Sequence, residues 1–394
     1  MPVGDKIRGM IESSSLIRKM FEAGSALRAA YGEEAVSDFS LGNPDVDPPE
    51  AVQRTLAEIV ATPIPRKHGY MPNAGYPEVR ERVAEYASAE QGVRLGRDNV
   101  VMACGAGGAL HAALKTIINP GDEVIASAPC FMEYGFYADN HGGKLLLAPS
   151  VPGFDLDVAG IEARIGPRTA ALIVNSPNNP TGRVYPEETL RELAHMLERA
   201  GRKNGRAIYI LSDEPYRKIV YDGVTVPSIL ALYPHSIVAT SYSKSLSLPG
   251  ERIGYLAVNP AADDAARLVD GIILCTRILG YVNAPALMQR VVGRLQGMSV
   301  DVEIYRKKRD LFCAALTSMG YELSVPQGAF YLFPRAPGGD DLALAQALQE
   351  HRVLVVPGRG FSYPGWFRIA YCVDTAAIER SFAGFQAVAR KLGA

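Results

Sequence analysis

The sequence lacks the patterns that mark several classes of protein. Its five cysteines are scattered and form no CxxC pair, which argues against a disulfide framework and favours free thiols in the cytoplasm. Its six histidines form neither an HExxH motif nor a cluster with metal-ligand spacing, so we expect no metal site. A net charge of −1 provides no overall attraction for nucleic acid or an anionic membrane. No apolar run approaches the length of a membrane span, and the N-terminal stretch lacks a signal-peptide core.

What is present is the pattern of a large α/β protein. The chain has 394 residues, 48% of them hydrophobic, which is enough for two domains. From residue 99 onward, apolar strands alternate with helices, which is typical of a mixed, mostly parallel sheet covered by helices on both faces. Ligands bind such sheets at the carboxyl ends of the strands. The predicted strands are 99–104, 123–128, 144–149, 170–175, 207–212 and 236–241, and the predicted helices are 108–118, 131–141 and 187–200.

The pattern changes after residue 285 and predicts a smaller α+β domain. Residues 285–320 predict one long helix or two joined helices, and the basic run Arg306–Arg309 within them is expected to be a solvated helix face. Short strands at 329–334 and 367–372 and helices near 341–350 and 375–391 follow. We therefore predict an N-terminal arm (1–45), a large domain (46–284) and a small C-terminal domain (285–394).

The segment SYSKSLSLPGERIGY (241–255) places a lysine where stability alone does not favour one. Lys244 follows a predicted buried strand, stands among serines, and is followed eight positions later by Arg252. Such a lysine suggests chemistry. The segment also fits the S-x-x-K motif of penicillin-binding hydrolases, but the SDN and KTG triplets that accompany that motif do not occur in the sequence.

Three further segments follow predicted strands. CGAGGAL (104–110) opens a helix with small residues, which predicts a phosphate cradle. It lacks the third glycine of a dinucleotide fingerprint, and the candidate acids Asp122 and Glu123 stand at the start of the second strand and not after it, so we reject a dehydrogenase. NSPNNPTG (175–182) would hold the Asn179 amide rigidly or simply form a stiff connection. SDEPY (212–216) offers Asp213 and Tyr216 to a ligand, although Asp213 could equally cap a helix.

Together these groups match the chemistry of pyridoxal 5'-phosphate (PLP). PLP requires a lysine amine to condense with its aldehyde and a carboxylate to pair with its pyridinium nitrogen. With these motifs, the chain resembles the class I/II aminotransferases, an aspartate-aminotransferase-like family of fold type I PLP-dependent enzymes, over nearly its whole length. The resemblance extends to SLGNPD (40–45), GYMPNAGYPEVRE (69–81), PQGAFYLF (326–333), VVPG (355–358) and FRIAY (367–371).

The resemblance implies a role for each candidate residue. Lys244 would carry the cofactor as an aldimine and act as the base, while Asp213 would keep the ring nitrogen protonated. Asn179 and Tyr216 would bond the phenolic oxygen of the ring, and Phe131 would stack on it. The phosphate would be bound by Gly105, Ala106, Gly107, Ser241, Ser243 and Arg252, and by Tyr70 of the partner subunit in a homodimer.

The substrate side of the resemblance is less complete. Arg368 matches the arginine that holds the substrate α-carboxylate, with Gly42 and Asn179 beside it. Ala106 stands where the family often has a hydroxyl, and Phe131 where it often has Trp or Tyr, which leaves the choice of substrate open. Arg277, in CTRILGYVNAP (275–285), is the one cation of a predicted interface loop that could bind a second carboxylate, or it could be a surface arginine.

The predicted function is PLP-dependent amino transfer between an L-amino acid and a 2-oxo acid in the cytoplasm. A carbon–sulfur β-lyase is the first alternative, because both reactions begin with removal of the same proton. A PLP-sensing regulator is the second. It would need a DNA-binding domain of several dozen residues before the first family motif, which begins near residue 40, and we expect none.

Overall fold

The protein is described by a computed structural model that covers residues 2–13 and 15–393. Residues 1, 14 and 394, which fall in the predicted first and last ranges, lie outside the described residues. The strands are β1 (Ser37–Asp38), β2 (Val100–Ala103), β3 (Glu123–Ser127), β4 (Lys144–Ala148), β5 (Thr169–Asn175), β6 (Tyr209–Asp213), β7 (Ser236–Ser241), β8 (Gly254–Val258), β9 (Tyr331–Leu332), β10 (Val353–Leu354), β11 (Val356–Pro357) and β12 (Phe367–Ala370).

The helices connect and cover these strands. They are α1 (Asp5–Ser13), α2 (Ser15–Tyr31), α3 (Glu50–Ala61), α4 (Pro77–Gln91), α5 (Gly105–Ile117), α6 (Glu133–Asp139), α7 (Val158–Glu162), α8 (Glu187–Asn204), α9 (Ile229–Leu232), α10 (Tyr242–Ser245), α11 (Ala265–Ile278), α12 (Ala286–Arg294), α13 (Val302–Ser318), α14 (Asp341–Glu350) and α15 (Thr375–Leu392). In the described part of the chain, no helix is both long and apolar enough to cross a membrane.

A seven-stranded sheet forms the centre of the molecule, in the order β2-β8-β7-β6-β5-β3-β4. Every predicted strand of this region is present. β8, which we did not predict, runs antiparallel to both β2 and β7, while the other pairs are parallel. The sequence pattern did not predict β8 because this strand directly follows the lysine motif, with no α-helix before it to mark a β-α-β unit.

Both faces of this sheet are apolar. Along β2, Val101 and Ala103 pack with α5 and α11, while Val100 and Met102 pack on the opposite face with α3, α4 and α12. This period of two follows from the pleat of a strand, and burial on both faces explains why the strands appear in the sequence as continuous apolar runs.

The C-terminal region forms a second, smaller assembly. Its three-stranded antiparallel sheet has the order β11-β12-β9, and the N-terminal strand β1 pairs with β10 beside it. Residues 285–320 form the two helices α12 and α13, and α12 packs on α3 and α4 of the middle range. The division into 1–45, 46–284 and 285–394 stays a prediction, and these contacts favour a boundary after α12.

The expectation of a solvated basic face on α13 is wrong for two of its residues. Lys308 and Arg309 are buried, and they form ion pairs with Asp45 and Asp222 respectively. A buried cation needs such a partner because it loses its hydration. These two ion pairs therefore hold α13 against the segments that contain Asp45 and Asp222.

Candidate active site

A cavity of about 350 Å³ lies where the carboxyl ends of β5, β6 and β7 meet the C-terminal region. Because parallel strands end at one edge of a sheet, residues far apart in sequence converge there. The structure brings together twelve of the predicted site residues around this cavity: Gly42, Ala106, Gly107, Phe131, Asn179, Asp213, Tyr216, Ser241, Ser243, Lys244, Arg252 and Arg368.

Two predicted site residues, and the candidate Arg277, do not line the cavity of their own chain. Gly105 is buried next to it with φ of +70°, and a Cβ there would lie 2.9 Å from Nη2 of Arg252. Only glycine tolerates this combination, which keeps the start of α5 close to the arginine. Tyr70 is 91% exposed. Arg277 is also exposed, in the last turn of α11.

Lys244 is presented by α10, immediately after β7. Its Nζ donates a hydrogen bond of 2.8 Å to the carbonyl oxygen of Gly42. Burial lowers the pKa of Lys244 to about 8, and the charges of Arg368 and Arg252 act in the same direction. A larger fraction of the amine is therefore neutral near pH 7 than in an exposed lysine, and the neutral amine is the nucleophile and the base.

Asp213 ends β6 in a buried position. Its Oδ2 accepts a hydrogen bond of 2.6 Å from the hydroxyl of Tyr134, whereas its Oδ1 has no hydrogen-bond partner among the described residues. Burial raises the pKa of Asp213 to about 7, and the bond from Tyr134 opposes that shift. A buried carboxylate oxygen without a donor is costly, so this atom is suited to accept a hydrogen bond from a ligand.

Arg368 is held from several sides. Its Nη1 donates to Oδ1 of Asn179 over 3.1 Å, and its Nη2 donates to the carbonyl oxygen of Ser40 over 2.6 Å. Its guanidinium lies 4.7 Å from the ring centre of Tyr331 and 4.8 Å from that of Phe361. Its Nε is buried without a hydrogen-bond partner in the described chain. A guanidinium fixed in this way is prepared to bind a carboxylate.

Asn179 and Tyr216 are also fixed in place by the fold. The backbone N–H of Asn179 donates to Oδ1 of Asn175 over 2.7 Å, at the end of β5. The hydroxyl oxygens of Tyr216 and Tyr331 are hydrogen-bonded at 2.8 Å. Their side chains therefore need little reordering to address a ligand in the cavity.

One end of the cavity is suited to an anion. Ala106 and Gly107 lie in the first turn of α5, whose free N–H groups and dipole favour negative charge. Ser241 and Ser243 add hydroxyl donors from the end of β7 and the start of α10, and Arg252 adds a cation. A phosphate group matches this set of donors.

Sequence reasoning gave no role to several residues of the cavity, and three of them bear on the chemistry of the site. Tyr331 stood inside a quoted motif without a role, and Glu133 and Phe361 were not singled out, yet all three line the cavity. Glu133 could have been found, because it follows Phe131 by two positions in the segment after β3. Tyr331 and Phe361 reach the cavity only through the packing of the C-terminal region, which leaves no local signal.

Comparison with known proteins identifies the family. The family model described as aminotransferase class I and II matches residues 34–383. A probable aspartate/prephenate aminotransferase of Thermus aquaticus is 34% identical over 356 residues, which cover 88% of this chain and 90% of the relative. An aromatic-amino-acid aminotransferase 2 of Thermococcus litoralis is 30% identical, with 97% and 96% covered. The chain therefore belongs to the class I and II aminotransferase family, as the motifs predicted.

Solved structures agree with this assignment. The crystal structure of an amino transferase from Eubacterium rectale is 39% identical, covers 100% of both chains and superposes with a TM-score of 0.96. A single mutant of the Thermus thermophilus aspartate aminotransferase is 28% identical, with a TM-score of 0.86 over 98% of this chain and 100% of that one. The predicted fold class, fold type I, and the predicted enzyme class, an aminotransferase, are confirmed.

Proposed function

We propose that this protein is a PLP-dependent aminotransferase that moves an amino group between an L-amino acid and a 2-oxo acid. The observation that carries the proposal is the pairing, in one cavity, of an unpartnered Asp213 oxygen with a Lys244 amine of lowered pKa. The relatives named above act, by their names, on aspartate, prephenate and aromatic amino acids. Because their donors differ, the family alone does not define the donor.

The residues of the cavity fit the cofactor at three points. Oδ1 of Asp213 is free to accept a hydrogen bond from a protonated ring nitrogen. The first turn of α5, with Arg252 and the two serines, would hold the phosphate. The amine of Lys244 would make the covalent link. When bound, PLP supplies an aldehyde to which amines add and a protonated ring that withdraws electrons from the substrate's α-carbon.

The chain's own groups then have distinct tasks. With the cofactor and substrate bound, Lys244 would be the base that takes the α-proton. Arg368 binds the α-carboxylate through its fork, which fixes the orientation of the α-carbon. Asn179 and Tyr216 would bond the phenolic oxygen of the cofactor, and Phe131 would cover its ring. Asp213, as a carboxylate, would hold the proton on the ring nitrogen.

A homodimer would complete this site. Tyr70 exposes 91% of its surface, and Ile278 and Leu274 on α11 expose 55% and 47%. Large apolar side chains of this kind favour burial against another chain. We propose that a second copy covers them and that Tyr70 of the partner subunit reaches the phosphate. The cytoplasm remains the predicted compartment, since all five cysteines are free thiols.

A donor–acceptor panel on the PLP-loaded protein tests the proposed function. Transamination consumes a 2-oxo acid and produces the matching amino acid in equal amount, and Lys244→Ala should abolish both. Several acceptors, including pyruvate and 2-oxoglutarate, belong in the panel. Release of pyruvate from cysteine-like substrates without any new amino acid would instead establish the β-lyase.

A further inference from the structure

Glu133 is an acidic residue that lines the cavity and has no role in the proposed reaction. It is the first residue of α6 and lines the cavity, within electrostatic reach of Arg368. In the described part of the chain, it forms no ion pair and no side-chain hydrogen bond with another residue. Burial raises the pKa of Glu133, while its own backbone N–H and the charge of Arg368 act in the opposite direction.

Each cation that lines the cavity already has a role in the proposed function. Among the described residues, Lys244, Arg252 and Arg368 are the three that line it. In the proposed function they serve the covalent link, the phosphate and the α-carboxylate. Within the described residues, the cavity of one chain therefore offers no further cation for a carboxylate on the substrate side chain.

The surroundings of Glu133 strengthen its effect. Phe131 and Met132, which precede it in the chain, and Phe361 line the same cavity with apolar groups. A charge interacts more strongly where nearby groups exclude water, so a second carboxylate would be repelled there. A substrate with a hydrogen-bond donor on its side chain would instead donate to the carboxylate of Glu133.

We propose that Glu133 is a specificity-determining residue that selects substrates with an N–H or O–H donor on the side chain and rejects a second carboxylate. This inference rests on the proposed aminotransferase function. Because donor and acceptor occupy one site in turn, the same selection applies to the 2-oxo acid. The kcat/KM for a monocarboxylic acceptor such as pyruvate should therefore exceed that for 2-oxoglutarate.

A simpler role for Glu133 is to favour the start of α6, as an acidic residue in the first turn of a helix does. Glu50 holds the same first position in α3 and is 92% exposed on its side chain. Glu50→Gln is therefore the matched control, since it removes the same charge from a helix start outside the cavity.

Binding of two unreactive analogues separates these roles without depending on turnover. Glutarate carries two carboxylates, whereas glutaramate has nearly the same shape but one carboxylate and one carboxamide. Calorimetry on the PLP-loaded wild type should show glutaramate binding about tenfold more tightly. Glu133→Gln should reduce that ratio to about one, and Glu50→Gln should leave it unchanged. A wild-type ratio near one, or an unchanged ratio in Glu133→Gln, would overturn the proposal.

Steady-state kinetics with several amino donors provide a second test of the role of Glu133. Glu133→Gln should lower kcat/KM about tenfold for asparagine, glutamine, serine or lysine, whichever the wild type uses, and raise it for aspartate and glutamate. The kcat/KM for alanine as donor, which has no polar side chain, should change less than about threefold. Equal losses for all donors would make Glu133 merely structural.

Two outcomes distinguish this inference from the proposals beneath it. A wild type that transaminates no amino acid, with normal analogue binding, would contradict the proposed function alone. A wild-type preference for glutarate that Arg277→Ala removes would place Arg277 of the partner subunit in the site and overturn the inference about Glu133, while leaving the aminotransferase in place.

Discussion

Tyr134 and Asp213 are joined by a hydrogen bond of 2.6 Å, in which the tyrosine hydroxyl donates to Oδ2 of the carboxylate. Tyr134 is fully buried and comes from the segment after β3, whereas Asp213 ends β6. The bond orients the carboxylate and favours its charged form. In the proposed site, Tyr134 would thus be a positioning residue that acts through Asp213.

Tyr134→Phe should shift the pH dependence of cofactor binding. In the cofactor-free protein the pKa of Asp213 is about 7, so affinity for PLP should fall as the pH falls through that value. Loss of the Tyr134 bond disfavours the carboxylate and raises this pKa further, so the fall should begin at higher pH. Equilibrium dialysis between about pH 5 and 9 measures the midpoint.

Tyr233→Phe is the matched control for this titration. Tyr233 is a buried tyrosine whose hydroxyl donates to the carbonyl of Ile208, and it does not line the cavity. The pH midpoint of PLP binding in Tyr233→Phe should equal that of the wild type. A wild-type midpoint in Tyr134→Phe would show that the hydrogen bond from Tyr134 does not affect the pKa of Asp213.

Asp213→Asn should stabilise the cofactor-free protein at alkaline pH. The pKa of Asp213 rises from 3.8 to about 7 on folding, so the folded state binds the proton more tightly. This contribution to stability is complete below about pH 4 and is lost as the pH rises through about 7. At pH 8, the free energy of unfolding of the variant should exceed that of the wild type by on the order of 1 kcal/mol or more. Urea denaturation at acid and alkaline pH measures the difference, and a less stable variant at pH 8 would contradict it.

Tyr331 contacts both Tyr216 and Arg368, the two residues proposed to bind cofactor and substrate, and two variants separate these contacts. Tyr331→Phe removes the hydroxyl bonded to Tyr216 but keeps the ring beside Arg368, so KM for the amino acid should change less than about threefold. Tyr331→Ala also removes the ring, and KM should rise about tenfold. Steady-state kinetics with one donor measure both. Equal increases would show that the ring does not support Arg368.

Tyr70 should act in the site of the partner subunit. Tyr70→Phe should weaken PLP retention by roughly 1.5–3 kcal/mol, the value of a charge-assisted hydrogen bond. Co-expression of Tyr70→Ala with Lys244→Ala, each with its own tag, tests the composite site. A hybrid dimer then contains one intact site, so a random mixture at limiting PLP should regain about a quarter of the wild-type activity. A fully active monomer in sedimentation, or a hybrid without recovered activity, would exclude the composite site.

The sequence predicts those parts of the site that depend on local pattern. Lys244 and Asp213 stand at the ends of apolar strands, and the edge of a parallel sheet brings such ends together. Tyr331 was not predicted because it meets Tyr216 across 115 residues of sequence, through the packing of the C-terminal region. Burial of Lys308 and Arg309 was missed for the same reason, since their acidic partners lie on distant segments.

Reduction of the PLP-loaded protein with borohydride, followed by proteolysis and mass spectrometry, tests whether Lys244 carries the cofactor. We expect one labelled peptide with the reduced cofactor on Lys244, no label in Lys244→Ala, and full labelling in the control Lys218→Ala, whose lysine is also partly buried. A specific label on another lysine, or an undiminished label in Lys244→Ala, would show that Lys244 is not the cofactor's lysine.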